Sequence, residues 1–249
     1  MFNYILADTL RIFRKKSFLI VFLGYMILFL IMIFIYFNTS FSAENYIEKT
    51  KNFLGYFPFI TGLAVFLSVY YDDFKSKAMQ TAIGRGLPRY KVVLCKFLES
   101  LLLLFFSVIC MFVLNFSLPI ILGIPLNHTQ IVKLLLITST EFLRSIGYVA
   151  ISAIPIFYMQ NALIGTIFYV LLSSKTIFIF LTLILGQEIF VHTLGNLTSY
   201  LFTSELYRMT DEFVKNRAID FSLIWVILLY ILLPMLLSTL SFSKKELEF

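Results

Sequence analysis

Charged residues are scarce in this sequence: Asp, Glu, Lys and Arg make up 14% of its 249 residues, against about 25% in soluble globular domains. Hydrophobic residues make up 60%, Phe alone contributes 29, and the mean hydropathy is +0.92. A water-soluble fold of this length has too little interior for so much apolar side chain, which leaves an integral membrane protein. Cysteine is limited to Cys95 and Cys110. That pair supports neither a metal site nor a disulfide framework and suits packed, reduced thiols, one at a membrane edge and one within a span. Histidine is limited to His128 and His192, both near span ends. The pattern G-x-x-x-x-G-K-[ST] is absent, as is an apolar strand closed by an acidic pair, so no nucleotide chemistry is expected on this chain. No small-residue cleavage site follows the first apolar run, which reads as a retained span rather than a signal peptide. The net charge of +6 does not indicate nucleic acid, because the basic residues cluster in short segments beside apolar runs, the membrane pattern.

What is present is a series of apolar runs. The expected architecture is all-α, a single polytopic membrane domain over 1–249 with six transmembrane helices. Residues 1–16 are expected to form an amphipathic helix at the interface. Phe2, Ile5, Leu6, Thr9, Leu10 and Phe13 share one face, and Asn3, Asp8, Arg11, Arg14 and Lys15 the other, the basic face turned to lipid phosphates. Spans follow at 17–37, 53–71, 100–122, 131–158, 162–185 and 221–242. A polar stretch at 38–52 joins the first two, and Gly123-Ile-Pro125-Leu-Asn127 breaks the chain after the third. Pro155 is expected to kink the end of the fourth. Six spans leave too little chain for a soluble domain. Four basic residues in the N-terminal flank, six between spans two and three, and two in the C-terminal tail place twelve of the 20 Lys and Arg on the side of the termini. That side is therefore expected to be cytoplasmic.

The most organised polar feature is the segment 72–96, which carries Lys75, Lys77, Arg85, Arg89, Lys91 and Lys96 against Asp72 and Asp73. Residues 73–83 read as a helix with Phe74, Ala78, Met79, Ala82 and Ile83 over about half its surface and Lys75 interrupting that half. Gly84-Arg85-Gly86 stops it. Pro88 suits the first turn of a new helix that runs straight into the third span. A loop that only sets topology needs no such order of helix, glycine break, proline and stem.

Here the chain resembles the membrane subunits of ABC transporters of the type-2 exporter class. Many of these carry an acidic residue and then spaced Lys, Gly, Arg and Lys after their second span. The matching positions are Asp73, Lys75, Gly84 or Gly86, Arg89 and Lys96. The family often has Glu where this chain has Asp73, and Gly-Thr where it has Lys77-Ala78. The likeness extends to the interfacial helix, the six spans and the long segment before the last. It implies that 72–96 is a cytoplasmic coupling helix docked in a groove of a separate ATPase, with Asp73, Phe74, Lys75, Met79, Ile83, Gly84, Arg85, Gly86, Arg89 and Lys96 as coupling residues. It implies ATP and Mg on that partner and no cofactor on this chain. It also implies a second permease, identical or related, in the plasma membrane. Its small size resembles permeases that export antimicrobial or other amphipathic peptides or confer immunity to them. Aromatic-rich spans suit an amphipathic cargo, which leaves lipid or drug export open beside peptide.

Three charges fall inside expected spans. Glu141 and Arg144 are three apart on one helical face and so can pair. An unpaired charge at span depth costs about 2.5–3.5 kcal/mol on insertion scales, so the pair faces protein or water, either as a lock between helices or as part of a pathway. Lys175 either snorkels outward or lines a cavity. Some intramembrane proteases place Glu and Arg on one span with His on others. Here there is no doubled Glu, no His-x-x-x-His and no Ser or Asp constellation within a span, which disfavours catalysis. A secondary carrier or scaffold is the remaining class, but a carrier calls for interrupted spans and paired repeats, which the sequence does not show. In the outer segment 186–220, Leu206, Met209, Phe213 and Val214 form a helical stripe among Glu205, Arg208, Asp211, Glu212, Lys215 and Arg217. This predicts an amphipathic surface helix, capping a transport exit or serving as a solvated connector.

Overall fold

The apolar run after Lys15 forms a 21-residue helix, α2 (Lys16–Tyr36). Its inward stripe is Phe18, Phe22, Tyr25, Phe29 and Ile33, recurring at helical spacing, while Ile20, Leu23, Ile27, Phe34 and Ile35 stay exposed. With no polar face to separate, such a helix gains little from water-facing amphipathy and suits a bilayer. The computed structural model describes residues 2–38, 41–76, 78–216 and 222–244, and within them the chain is all-helical. The other elements are α1 (Phe2–Phe13), α3 (Ala43–Lys75), α4 (Ala78–Gly84), α5 (Arg89–Ile121), α6 (His128–Met159), α7 (Ala162–Ser173), α8 (Thr176–Leu185), α9 (Glu188–Leu194), α10 (Phe202–Asn216) and α11 (Ser222–Lys244). Five of them, α2, α3, α5, α6 and α11, are long and apolar enough to cross a membrane, and α7 with α8 makes a sixth if that bent pair is one span.

The centre is α6, which packs against α3, α5, α7, α10 and α11. Its small inward residues, among them Ser145, Gly147, Ala150, Ser152 and Ala153, are buried and permit close approach. A Cβ at Gly147 would lie 2.2 Å from the Phe202 ring of α10. Asn115 donates to Thr138 Oγ1 at 3.1 Å, tying α5 to α6.

Several expectations need correction. The stretch 38–52 is not a polar connector: α3 begins at Ala43, capped by Ser42, whose Oγ accepts from the Asn45 N–H at 3.3 Å. Tyr46, Ile47, Thr50 and Leu54 make a buried stripe, and the Tyr46 hydroxyl donates to the Asn115 carbonyl at 2.9 Å. Further along, α3 loosens into π-helical turns at Pro58–Gly62 and Leu67–Tyr71. Tyr169 of α7 donates to the Pro58 carbonyl at 2.9 Å and its ring stacks on Phe66 at 4.6 Å.

The expected fifth span is not one continuous helix. The helix stops at Ser173 and restarts at Thr176, bent by 64°, with Lys175 left-handed at φ +63. The interfacial helix also differs from expectation. It packs on α5, with Ile5, Thr9 and Ile12 buried, and Asp8, Arg11 and Lys15 of its polar face pair with protein groups while Asn3 and Arg14 stay exposed. In α10 the predicted stripe is buried at Leu206, Met209 and Phe213, but Val214 is exposed and Glu205 is buried. Arg217, Asp220, Phe221 and Lys77 lie outside the described residues.

Candidate functional site

The 72–96 segment is shorter and more braced than a single surface helix. Helix α3 ends at Lys75, where the Ser76 N–H donates to the Asp72 carbonyl at 2.9 Å. The chain then makes the seven-residue α4. Gly86 sits at φ +93, its N–H on the Ile83 carbonyl at 2.9 Å, and the Leu87 N–H reaches the Ala82 carbonyl at 3.1 Å. This paired pattern closes a helix around a left-handed residue, which glycine adopts at no steric cost. Pro88 is the N-cap of α5 rather than part of its first turn, and its carbonyl accepts from Lys91 at 2.9 Å. The 33-residue α5 then carries stem and third span as one rod, about 50 Å long.

The predicted coupling residues divide into two sets. Met79 is buried, Phe74 and Ile83 are half-buried, and all three line a crevice against Gln160 at the end of α6 and Phe242 near the end of α11. Phe74 lies tilted against Phe157 with ring centroids 6.1 Å apart, and Arg89 Nη1 donates to the Phe242 carbonyl at 3.4 Å. Lys75, Gly84, Arg85 and Gly86 are exposed. Asp73 and Lys96 are 1% and 0% exposed, so these two face the protein interior and not a docked surface.

Asp73 and Lys96 belong to a cluster that sequence reasoning missed. The Lys96 ammonium pairs with Asp8, Asp73 and Glu99, the last at 2.8 Å. Arg11 bridges Asp8 and Asp73 at 2.6 Å each, and Lys15 pairs with Asp72. Burial opposes ionisation of Asp8, but the Lys96 ammonium and the Arg11 guanidinium outweigh it and hold the carboxyl below its usual range. Burial pushes the Tyr4 phenol up to about 12, with Lys96 acting the other way; the Lys96 ammonium lies 5.2 Å from the Tyr4 ring centroid. The cluster joins α1, the end of α3 and the stem of α5. The available signal was Glu99 three residues after Lys96, together with a lone Asp8 in a basic flank.

A second charged site lies between the start of α3, the middle of α6, the α7–α8 break and α10. Both Glu141 oxygens accept from Arg144 Nη1 at 2.8 Å, and the pair is buried as expected. Arg144 also stacks on the Tyr207 ring, 4.6 Å from guanidinium carbon to centroid. Glu141, Lys51, Lys175 and Tyr207 line a cavity of about 560 Å³. Glu141 is about 20 Å along α6 from its start, at mid-helix. The sequence-predicted trio of Glu141, Arg144 and Lys175 is thus brought together, while the coupling segment lies apart from it, around the C-terminal end of α6.

No family model, curated protein or solved structure matches this chain.

Proposed function

We propose that the chain is the membrane-spanning permease subunit of an ATP-driven exporter of the type-2 ABC class, with both termini cytoplasmic and the exposed surface around α4 receiving a separate ATP-binding subunit. One observation carries this reading: the short α4, flanked by the exposed basic residues Lys75 and Arg85, seats Met79 and Ile83 in a crevice with Phe74, Gln160 and Phe242, and the end of α3 just before it is tied to α1 and α5 by the buried ion cluster. A force on α4 is thereby delivered to most of the bundle, because packed interfaces shift as units rather than deform gradually. ATP and Mg belong to the partner chain, and a second permease completes the pathway. An amphipathic cargo, a peptide first and a lipid or drug otherwise, suits the aromatic spans. The test is to isolate the full complex by a tag on this chain and measure ATP turnover with and without amphipathic peptide. Stimulated hydrolysis supports the reading, and a complex that hydrolyses no ATP removes it.

The broken α7–α8 pair favours one second reading, a secondary carrier, because discontinuous helices at span depth build substrate sites in such proteins. Transport by reconstituted chain alone, driven by an ion gradient and abolished by an ionophore, would establish that reading instead.

A further inference from the structure

The cavity beside the helix break carries an imbalance of charge. Glu141 is committed to Arg144, so its charge is balanced inside the protein. Lys51 and Lys175 also line the cavity, and among the described residues neither forms an ion pair. Two ammonium groups therefore share one concave space with a single carboxylate, Glu141, whose charge Arg144 already balances, and the site keeps a net positive charge. The backbone is arranged for this: Lys175 holds a left-handed conformation that non-glycine residues rarely adopt, and its ammonium lies over Gly55, 3.8 Å from where a Cβ there would stand. The ten-residue α8 begins at the same break, so the positive end of its dipole adds to the field. Ser173 and Ser174 supply hydroxyls on the rim, and Tyr56 and Phe59 supply an apolar wall.

We infer that this cavity binds a phosphate group, and that the group is the anionic head of a membrane lipid whose chains lie along Tyr56 and Phe59. Two lysines acting as point charges suit a phosphate, which spreads its charge over several oxygens, and the one nearby arginine pairs with Glu141 through Nη1. A cavity of about 560 Å³ is larger than a free phosphate needs and leaves room for the glycerol region of a lipid. This inference does not rest on ATP-driven transport and survives if the chain is a carrier.

The test uses the full chain in nanodiscs and in detergent, with affinity read by native mass spectrometry and by thermal shift. The lipids are phosphatidylglycerol and phosphatidylcholine, and inorganic phosphate serves as the soluble probe. Phosphatidylglycerol is expected to bind at least tenfold more tightly than phosphatidylcholine. Lys51→Gln and Lys175→Asn should each weaken it by about fivefold, the contribution of one basic residue at an anionic lipid surface. Asn tolerates the left-handed backbone, so loss of binding there reflects loss of charge, and Lys175→Arg should retain the preference. Lysine-dependent binding of inorganic phosphate that competes with phosphatidylglycerol supports the phosphate site and assigns its occupant to a soluble phosphate. Equal affinity for the two lipids, or a double variant that binds phosphatidylglycerol as well as wild type, overturns the proposal.

Discussion

Replacing Lys96 by Met removes the one ammonium that neutralises three carboxylates while keeping most of the side-chain volume. Lys96 is fully buried and meets Asp8, Asp73 and Glu99, with only Arg11 left to balance them. Glu99 Oε1 already has no hydrogen-bond partner among the described residues, and the variant removes the ammonium that donates to Glu99 Oε2. Breaking a buried pair by deleting one partner costs about 3–5 kcal/mol. For a chain of this size that corresponds to a fall in melting temperature of roughly 6–20 °C. The loss should be local before it is global, because the cluster is what fastens α1 to α3 and α5. Hydrogen exchange should therefore rise first at Phe2–Phe13 and at Asp72–Lys75 in the purified protein. Lys75→Met, at an exposed position, serves as the control and should cost under about 1 kcal/mol. Adding Asp73→Asn to Lys96→Met should restore part of the loss by removing a stranded charge. A Lys96→Met variant that melts like wild type, or a Lys75→Met variant that is as damaging, would refute the neutralising role of Lys96.

Further outcomes concern other parts of the molecule. Asp8 has a folded-state pKa below its unfolded value near 4, so its contribution is present above that value and is lost as pH falls through the lower, folded one. The melting temperature of wild type relative to Asp8→Asn should be steady from neutral pH to about 5 and converge only in stronger acid; convergence near neutrality would contradict the cluster. Gly147→Ala puts a methyl 2.2 Å from the buried Phe202 ring and should cost about 1–3 kcal/mol by overpacking, measured as a thermal shift. A neutral result would mean α10 is not seated against α6. Glu141→Gln leaves the Arg144 guanidinium with a neutral partner inside the bundle, and a loss of about 3 kcal/mol or more is expected. An unchanged melting temperature would show that water already solvates this pair.

Much of the architecture was legible because bilayer helices are written in long apolar runs, and these place α2, α5, α6 and α11 within a few residues in most cases. The start of α3 was hidden because Glu44, Glu48, Lys49 and Lys51 dominate its composition. Yet Tyr46, Ile47, Thr50 and Leu54 already lay at helical spacing, and packing on that stripe outweighs the polar average. The bend at Ser174 and Lys175 carries no proline or glycine, so nothing local marks it. It depends on contacts with distant helices. Glu141 and Arg144 were recognisable as a pair because i and i+3 is a local relation. The Asp8–Asp73–Lys96 contacts join residues 88 and fewer positions apart along three helices, which no local pattern encodes. Lys96 was assigned to an ATPase surface on a family pattern, and tertiary packing gives it an internal partner instead.

In the proposed function, α4 presents the surface through which an ATP-hydrolysing partner drives this bundle. Arg85→Glu tests it most directly, since Arg85 is exposed at the turn after α4 and reversing its charge leaves the buried cluster intact. Vanadate-sensitive ATP turnover should be measured in complexes isolated through this chain, with melting temperature as the folding control. The account predicts that wild-type complexes hydrolyse ATP and that Arg85→Glu loses most of that activity while melting within about 2 °C of wild type. Full activity in Arg85→Glu, or wild-type complexes without ATP turnover, would contradict it.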